Sequence, residues 1–305
     1  MNRSPSAERT PGPSRTRAGC LTAIVLVLIV VLLAALGPRV GQVASGKRVG
    51  ILPIVGEIWA SEETLTDARK LADDPSVVAM VVRLDSPGGT TGASQELYGG
   101  LSRIREESGK PLVASFGDVA ASGAYYAACA ADSIFTNPGT LTGSIGVILE
   151  LPDYGGIMQK LGVKVQVVKS GRFKDTGSPY RDMTPEETAL LQGVIDDTYA
   201  QFVDAVVESR DLPRAKVLAI ADGRVMSGRQ AVRAGLVDRT GDLEDAIRAA
   251  GRMAGLRQER PRTVTPHHHK WDWPWNVFFD SRWGGRAGGM ARQALAGPRL
   301  LYRIP

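Results

Sequence analysis

Between Ser45 and Leu256, the stretch able to form a globular domain, the chain has no histidine. Its three histidines, His267, His268 and His269, stand side by side in a tail of different composition. A nucleophilic serine in that domain must therefore take lysine or a carboxylate as its base. Cysteine is almost as scarce. Cys20 opens an apolar run and Cys129 lies in a small-residue segment expected to be a buried helix, so no disulfide framework is expected. Cys129 reads as a small core residue. A large excess of one charge sign is missing too. The net charge of +5 is mild, and the arginines gather at the ends, Arg3 to Arg17 and Arg252 to Arg303. The nearly balanced middle offers no nucleic-acid surface, whereas basic flanks suit a neighbouring membrane segment.

What is present begins with that segment. Residues 1–19, rich in Pro, Ser, Thr and Arg, are expected to be disordered and cytoplasmic. Residues 20–37 form an apolar run, of which Cys20 to Leu36 would span about 26 Å as a helix, near the lower limit for crossing a bilayer. Arg3, Arg9, Arg15 and Arg17 precede the run and Arg39 follows it. The positive-inside rule then puts the N-terminus in the cytoplasm and the main domain outside. A cleaved signal peptide is the competing reading, given small Ala34 and Ala35. The length of the core and the nearby Pro38 favour an uncleaved anchor. Cys20 precedes the apolar run, which excludes a lipoprotein.

From residue 45 to 256 strands alternate with helices, which predicts an α/β layered domain. Val49–Val55, Val77–Leu84, Leu112–Phe116, Ser133–Thr136 and Ile145–Glu150 read as strands, and the continuous apolar run Val77–Leu84 as a buried one. Val163–Val168 alternates and reads as a further strand. Helices are expected at Ser61–Asp73, Gly92–Glu107, Ser122–Ala131 and Asp153–Leu161. Lys169–Asp182 is polar and loop-like. Thr184-Pro185-Glu186-Glu187 is a capping box with proline at the first helical position, opening a long helix to about Arg210. Shorter helices follow near Arg214–Ala221, Ser227–Ala234 and Leu243–Gly255. Residues 257–305 carry Trp271, Trp273, Trp275 and Trp283 among arginines and glycines. That tail reads either as poorly ordered or as a surface for a membrane or partner. Its three adjacent histidines, without further ligands, make a weak metal site.

Two turns carry possible chemistry. Asp85-Ser86-Pro87-Gly88-Gly89 ends a buried strand, and its glycines let backbone amides approach a ligand. It also reads as a plain strand-to-helix turn. Ala120-Ala121-Ser122-Gly123-Ala124 follows another strand, and its small residues leave room for a substrate carbonyl beside Ser122. First-turn amides of the following helix would favour a developing negative charge there. Taken alone, helix capping is the stronger reading of Ser122. Of the domain's lysines, Lys174 stands apart, in the loop Ser170–Pro179 beside Phe173 and just ahead of the long helix. As a base it would need a lowered pKa, supplied by desolvation or a nearby cation.

Together the serine motif, the Asp85–Gly89 turn, Leu141-Thr142-Gly143-Ser144-Ile145-Gly146-Val147 and the Lys174 loop resemble peptidase family S49, in its short, signal-peptide-peptidase form. The likeness continues through Ala221–Val225 and Gly235–Asp238, and it covers about Val49 to Ala254. The Trp-rich tail has no counterpart in it. The resemblance implies a crotonase/Clp-protease-like layered fold carried on an N-terminal transmembrane helix. It implies that Ser122 is the nucleophile, Lys174 the general base and Ser144 a serine that orients the lysine. Gly89 and Gly123 would supply oxyanion-hole amides. No cofactor or metal is implied. The implied partners are remnant signal peptides and other hydrophobic peptides. A homo-oligomeric ring, with one subunit's lysine reaching its neighbour's serine, is implied as well. The implied location is a bacterial cell membrane, spanned once, with the catalytic domain outside the cytoplasm.

Two other classes compete. A crotonase-type acyl-CoA enzyme would use paired amides in the same way, but gives Ser122 and Lys174 no role. A non-catalytic membrane-anchored scaffold would leave both residues without purpose.

Overall fold

The structure, a computed structural model, describes residues 46–266 and 300–303. The apolar run at residues 20–37, the histidine triplet and the tryptophans of the tail lie outside the described residues. Among those described, no helix is long and apolar enough to cross a membrane.

The chain is mixed α/β around a mostly parallel sheet. In order it forms β1 (Arg48–Val55), α1 (Glu62–Asp73), β2 (Val77–Ser86), β3 (Gly88–Thr90), α2 (Thr91–Ser108), β4 (Leu112–Ala121) and α3 (Gly123–Ala128). Then come β5 (Ser133–Thr136), β6 (Leu141–Gly143), β7 (Ile148–Leu149), α4 (Gly155–Lys160), α5 (Pro185–Arg210) and α6 (Arg214–Leu218). Last are β8 (Val225–Ser227), α7 (Gly228–Ala234), β9 (Arg239–Thr240), α8 (Leu243–Met253), β10 (Arg262–Val264) and β11 (Leu300–Arg303). The main sheet runs β10-β1-β2-β4-β5-β9, every pair parallel, and β6 adds to the far end of β4 with β8 antiparallel beside it.

The alternation of side chains along β2 explains the layering. Ala79 and Val81 face one side, where they join Val49, Val113, Phe135 and, from α8, Ala246 and Ala250. Met80, Val82 and Leu84 face the other, against Leu97, Leu101 and Ile104 of α2, Tyr125 of α3 and Phe202 of α5. A strand covered on both faces is expected to be apolar, as Val77–Val82 is; Arg83, the one charge before Leu84, donates to Ser115 Oγ at 2.9 Å and to the Phe116 carbonyl at 2.7 Å. Each fully buried Leu or Ile on α2 contributes about 1.5–3 kcal/mol of transfer free energy.

Several expectations change. The strand at Leu112–Phe116 continues to Ala121, because Val119, Ala120 and Ala121 find a partner in β6. The helix expected from Ser122 starts at Gly123 and ends at Ala128. The strand expected at Ile145–Glu150 shrinks to β7. Val163–Val168 is not a strand: Val163, Val165 and Val167 are 48%, 45% and 51% exposed, and no neighbouring strand pairs with them among the described residues. Alternation marks a surface fit to be half-buried but supplies no partner to bury it. Past Leu256, β10 extends the main sheet and β11 joins a second, three-stranded antiparallel sheet ordered β3-β11-β7.

Helix α3 is anchored at its core side by Tyr125, which is fully buried and donates from its hydroxyl to the Leu236 carbonyl at 2.8 Å. Replacing Tyr125→Phe leaves that carbonyl without its partner. The expected loss is about 1–3 kcal/mol of stability. It is read as a lowered urea midpoint with an unchanged slope.

Candidate active site

Where β4 ends, the backbone reverses into α3 through one residue. Ser122 has φ 54° and ψ −119°, a conformation that a residue with a Cβ adopts only under strain, at a cost of about 1–3 kcal/mol. Neighbouring contacts impose it. Ala120 and Ala121 are locked to Thr142 and Gly143 of β6, and the Ser122 N–H donates to the Gly143 carbonyl at 2.8 Å. The Ser122 carbonyl then accepts from the Tyr126 N–H at 2.9 Å and starts the helix. Ala120, Ala121 and Ala124 are completely buried, so larger side chains have no room in this corner.

Ser122 itself is 1% exposed, and its Oγ is buried with no hydrogen-bond partner among the described residues. A buried hydroxyl without a partner carries a desolvation penalty and is rare in native proteins. Gly123 opens α3, and its amide is among the first-turn N–H groups that have no partner within the helix.

A second strained serine lies next door. Gly143 (φ 77°) and Ser144 (φ 51°) are consecutive left-handed residues, and the Ser144 N–H donates to the Arg224 carbonyl at 2.9 Å. The peptide group bonded to Ser122 is thus the one that leads into Ser144.

Gly89 lies on β3, which packs against α3. A Cβ at this position would stand 2.0 Å from the Ile58 carbonyl oxygen, so only glycine fits. Ile58 holds the strand from both sides: its N–H donates to the Gly88 carbonyl at 2.9 Å, and its carbonyl accepts from Thr90 N–H at 2.8 Å. Ser86 Oγ accepts from the Gly88 N–H at 3.1 Å. Gly89 on β3, Gly123 on α3, and Ser122 and Ser144 just past β4 and β6 therefore lie on adjoining elements.

Lys174 is not joined to them. It sits in a turn, its N–H donating to the Gly171 carbonyl at 3.1 Å, and its side chain is exposed. No hydrogen bond or ion pair ties its ammonium to Ser122 or Ser144. The loop that carries it is nonetheless fixed. Asp175 accepts from Lys169, and Arg181 bridges Asp175 (3.1 Å) and Glu187 (2.6 Å). Glu187 also closes the α5 capping box by accepting from the Thr184 N–H at 2.9 Å. The Arg181 guanidinium, then the Thr184 amide, draw the Glu187 carboxyl down to about 2. Asp175 is lowered as well, chiefly by the hydrogen bond from Lys169.

Sequence reasoning missed Ile58, the Gly143 and Arg224 carbonyls and the Arg181 clasp. Arg224 lies in the Ala221–Val225 stretch that the resemblance marked, but a backbone carbonyl gives no side-chain signal. Among the described residues no three potential metal ligands converge.

Comparison with known proteins adds the ancestry of these features. Residues 104–257 match the family described as "Peptidase family S49". A Synechocystis sp. protein that bears a protease name is 41% identical over 220 residues, 72% of this chain and 79% of that relative. An Enterococcus faecium protein named after signal peptide peptidase SppA is 37% identical over 191 residues, covering 63% of this chain and 55% of its own. The chloroplastic serine protease SPPA of Arabidopsis thaliana is 34% identical over 216 residues, 70% of this chain and 32% of its own.

The clasp predicts a pH response. Glu187 titrates lower when folded than its ordinary 4.5, so it stabilises the loop above about pH 4.5 and loses that contribution as the pH falls toward about 2. Amide exchange over residues 169–182, corrected for intrinsic rates, should be steady from pH 7 to 5 and accelerate between 4.5 and 2. Glu187→Gln should show the accelerated exchange already at pH 7.

Proposed function

The chain belongs to peptidase family S49, and from that membership we propose a membrane-anchored serine endopeptidase in which Ser122 is the nucleophile and Lys174 the general base. The observation that carries this reading is the Ser122 hydroxyl, buried at a strained strand-to-helix junction with no partner among the described residues. Structure rarely keeps such a group unless something else is to meet it.

The chemistry is acyl transfer. Lys174 Nζ, neutral, accepts the Ser122 proton while Oγ bonds to the substrate carbonyl carbon. The amides of Gly89 and Gly123 receive the oxyanion. When the C–N bond breaks, the proton passes from Nζ to the leaving amine, and an acyl-serine remains. Water, activated by the same amine, then releases the acid and restores Ser122. Ser144, one peptide unit from the Gly143 carbonyl, orients the lysine.

Each chain supplies one serine and one lysine; among the described residues the Ser122 hydroxyl has no hydrogen-bond partner and Lys174 is not joined to it. That favours a homo-oligomer, a ring in which one subunit's loop brings Lys174 to its neighbour's Ser122. The half-exposed valines at 163, 165 and 167 are an alternating segment suited to a strand partner from another copy. The apolar run at residues 20–37 would hold the ring on the outer face of a cell membrane. Hydrophobic peptides released in that membrane, remnant signal peptides among them, are the substrates this placement suits.

Two substitutions test the dyad. Ser122→Ala and Lys174→Ala should each lower kcat by about 10³-fold or more, and the double variant should be no worse than either. Lys174→Arg is the sharper probe, because arginine keeps the charge and cannot give up its proton. It should be as inactive as Lys174→Ala in a peptide-hydrolysis assay, with circular dichroism unchanged. Recovery of turnover by arginine would show that the charge, not proton transfer, is what matters.

A further inference from the structure

The backbone around Ser144 is bracketed by a single turn. The Ser144 N–H donates to the Arg224 carbonyl at 2.9 Å, and the carbonyl of the next residue, Ile145, accepts from the Gly223 N–H at 3.1 Å. Gly223 makes the turn with φ 85°, which a residue bearing a Cβ rarely adopts. The turn is fastened on two sides. Facing solvent, the Asp222 carboxylate accepts from the Arg224 N–H at 3.1 Å and from its guanidinium, Nε at 2.7 Å and Nη2 at 2.5 Å. Facing the core, the carbonyl of buried Ala221 accepts from the Tyr199 hydroxyl of α5 at 2.7 Å.

The peptide group between Gly143 and Ser144 carries this constraint to Ser122. It is one rigid plane. Its N–H donates to the Arg224 carbonyl, and its carbonyl accepts from the Ser122 N–H at 2.8 Å. A shift of the Arg224 carbonyl therefore tilts the plane from which Ser122 hangs. Both serines depend on such a hold, because both sit at positive φ, 54° and 51°. The Asp222 and Arg224 side chains are about half exposed, and an ion pair so exposed adds little to global stability. Three bonds to one carboxylate within three residues instead fix the local backbone. Those bonds, the guanidinium's first and the amide's second, hold the Asp222 carboxyl down to about 2. The clamp thus keeps its charge wherever a neutral lysine could act.

We propose that Asp222 and Tyr199 are positioning residues for Ser122, acting through the Arg224 carbonyl and the Gly143–Ser144 peptide group. This rests on the reading of Ser122 as the nucleophile. Neither side chain meets the substrate. Together they set the angle at which Ser122 Oγ approaches the substrate carbonyl carbon, and a misplacement of about 1 Å there costs about 10²-fold in rate. The loss falls on kcat and spares KM, because the contacts that bind substrate are untouched.

The test uses the full chain and a fluorogenic apolar peptide. Asp222→Ala should lower kcat about 10- to 100-fold with KM changed less than about twofold. Asp222→Asn keeps an oxygen that accepts the Arg224 N–H and should return kcat to within about threefold of wild type. Tyr199→Phe removes only the hydroxyl and should lower kcat about tenfold, again at steady KM. Asp204→Ala breaks a comparably exposed ion pair, with Arg214, that does not touch the turn. It should leave kcat and KM as they are. The urea midpoint should hardly move in Asp222→Ala, so the loss of rate is not a loss of fold. A second readout needs no turnover: Asp222→Ala should speed amide exchange at positions 122 and 144 about tenfold or more, while β2 keeps its protection. Hydrolysis that survives Ser122→Ala would sink the nucleophile reading, whereas exchange would still report on the clamp. Unchanged exchange at 122 and 144 in Asp222→Ala, or faster exchange with unaltered kcat, would overturn the proposal.

Discussion

The architecture turns on the backbone of Ser122. A parallel strand has to become a helix within one residue, and only a left-handed conformation makes the turn. The conformation persists because both sides are over-determined. β6 holds the incoming strand and the Ser122 N–H, and the first turn of α3 takes the carbonyl. Every nearby residue answers to that corner: alanine at 120, 121 and 124, glycine at 123 and 143. The outcome is a buried hydroxyl without a hydrogen-bond partner among the described residues. Strain and a missing partner are both unfavourable for folding, and their coincidence at one side chain is what marks the site.

The same economy shapes the rest of the site. Gly89 is glycine because the Ile58 backbone occupies the space where a Cβ would go. The lysine, by contrast, is borne on a loop fastened to the start of α5 by Arg181, Asp175 and Glu187. That clasp orders the loop without joining it to the serine. On the proposed reading the site would be complete only where one subunit's loop meets another's serine, which would couple catalysis to assembly. The alternating valine segment ahead of the lysine loop, uncovered among the described residues, suits the same reading.

Much of the scaffold could be read from residue pattern alone. The largely apolar run at Val77–Leu84 announced a buried strand, and the Thr184–Glu187 capping box fixed the start of α5 to the residue. The misreadings have physical causes. Ser122 reads as a helical residue because small residues surround it, yet the serine's torsions are set by β6, a strand too short to leave a pattern. Val163–Val168 has strand character but no strand partner. β11 was invisible because four residues in a tail acquire meaning only when two distant edges accept them. Of the residues proposed for the site, Ser122, Ser144 and Lys174 offer side chains that a sequence reading can single out, though the structure leaves Lys174 apart from the other two. The carbonyls of Ile58, Gly143 and Arg224 do not stand out in this way, since any residue carries one.

A mixing experiment tests the division of the site between copies most directly. Protein carrying only Ser122→Ala is combined with protein carrying only Lys174→Ala, subunit exchange is verified, and peptide hydrolysis is measured. If the lysine serves its neighbour's serine, some interfaces in the mixed assembly pair an intact Ser122 with an intact Lys174, and a fraction of wild-type turnover returns. Continued inactivity despite complete exchange would place both residues in one chain and contradict the account.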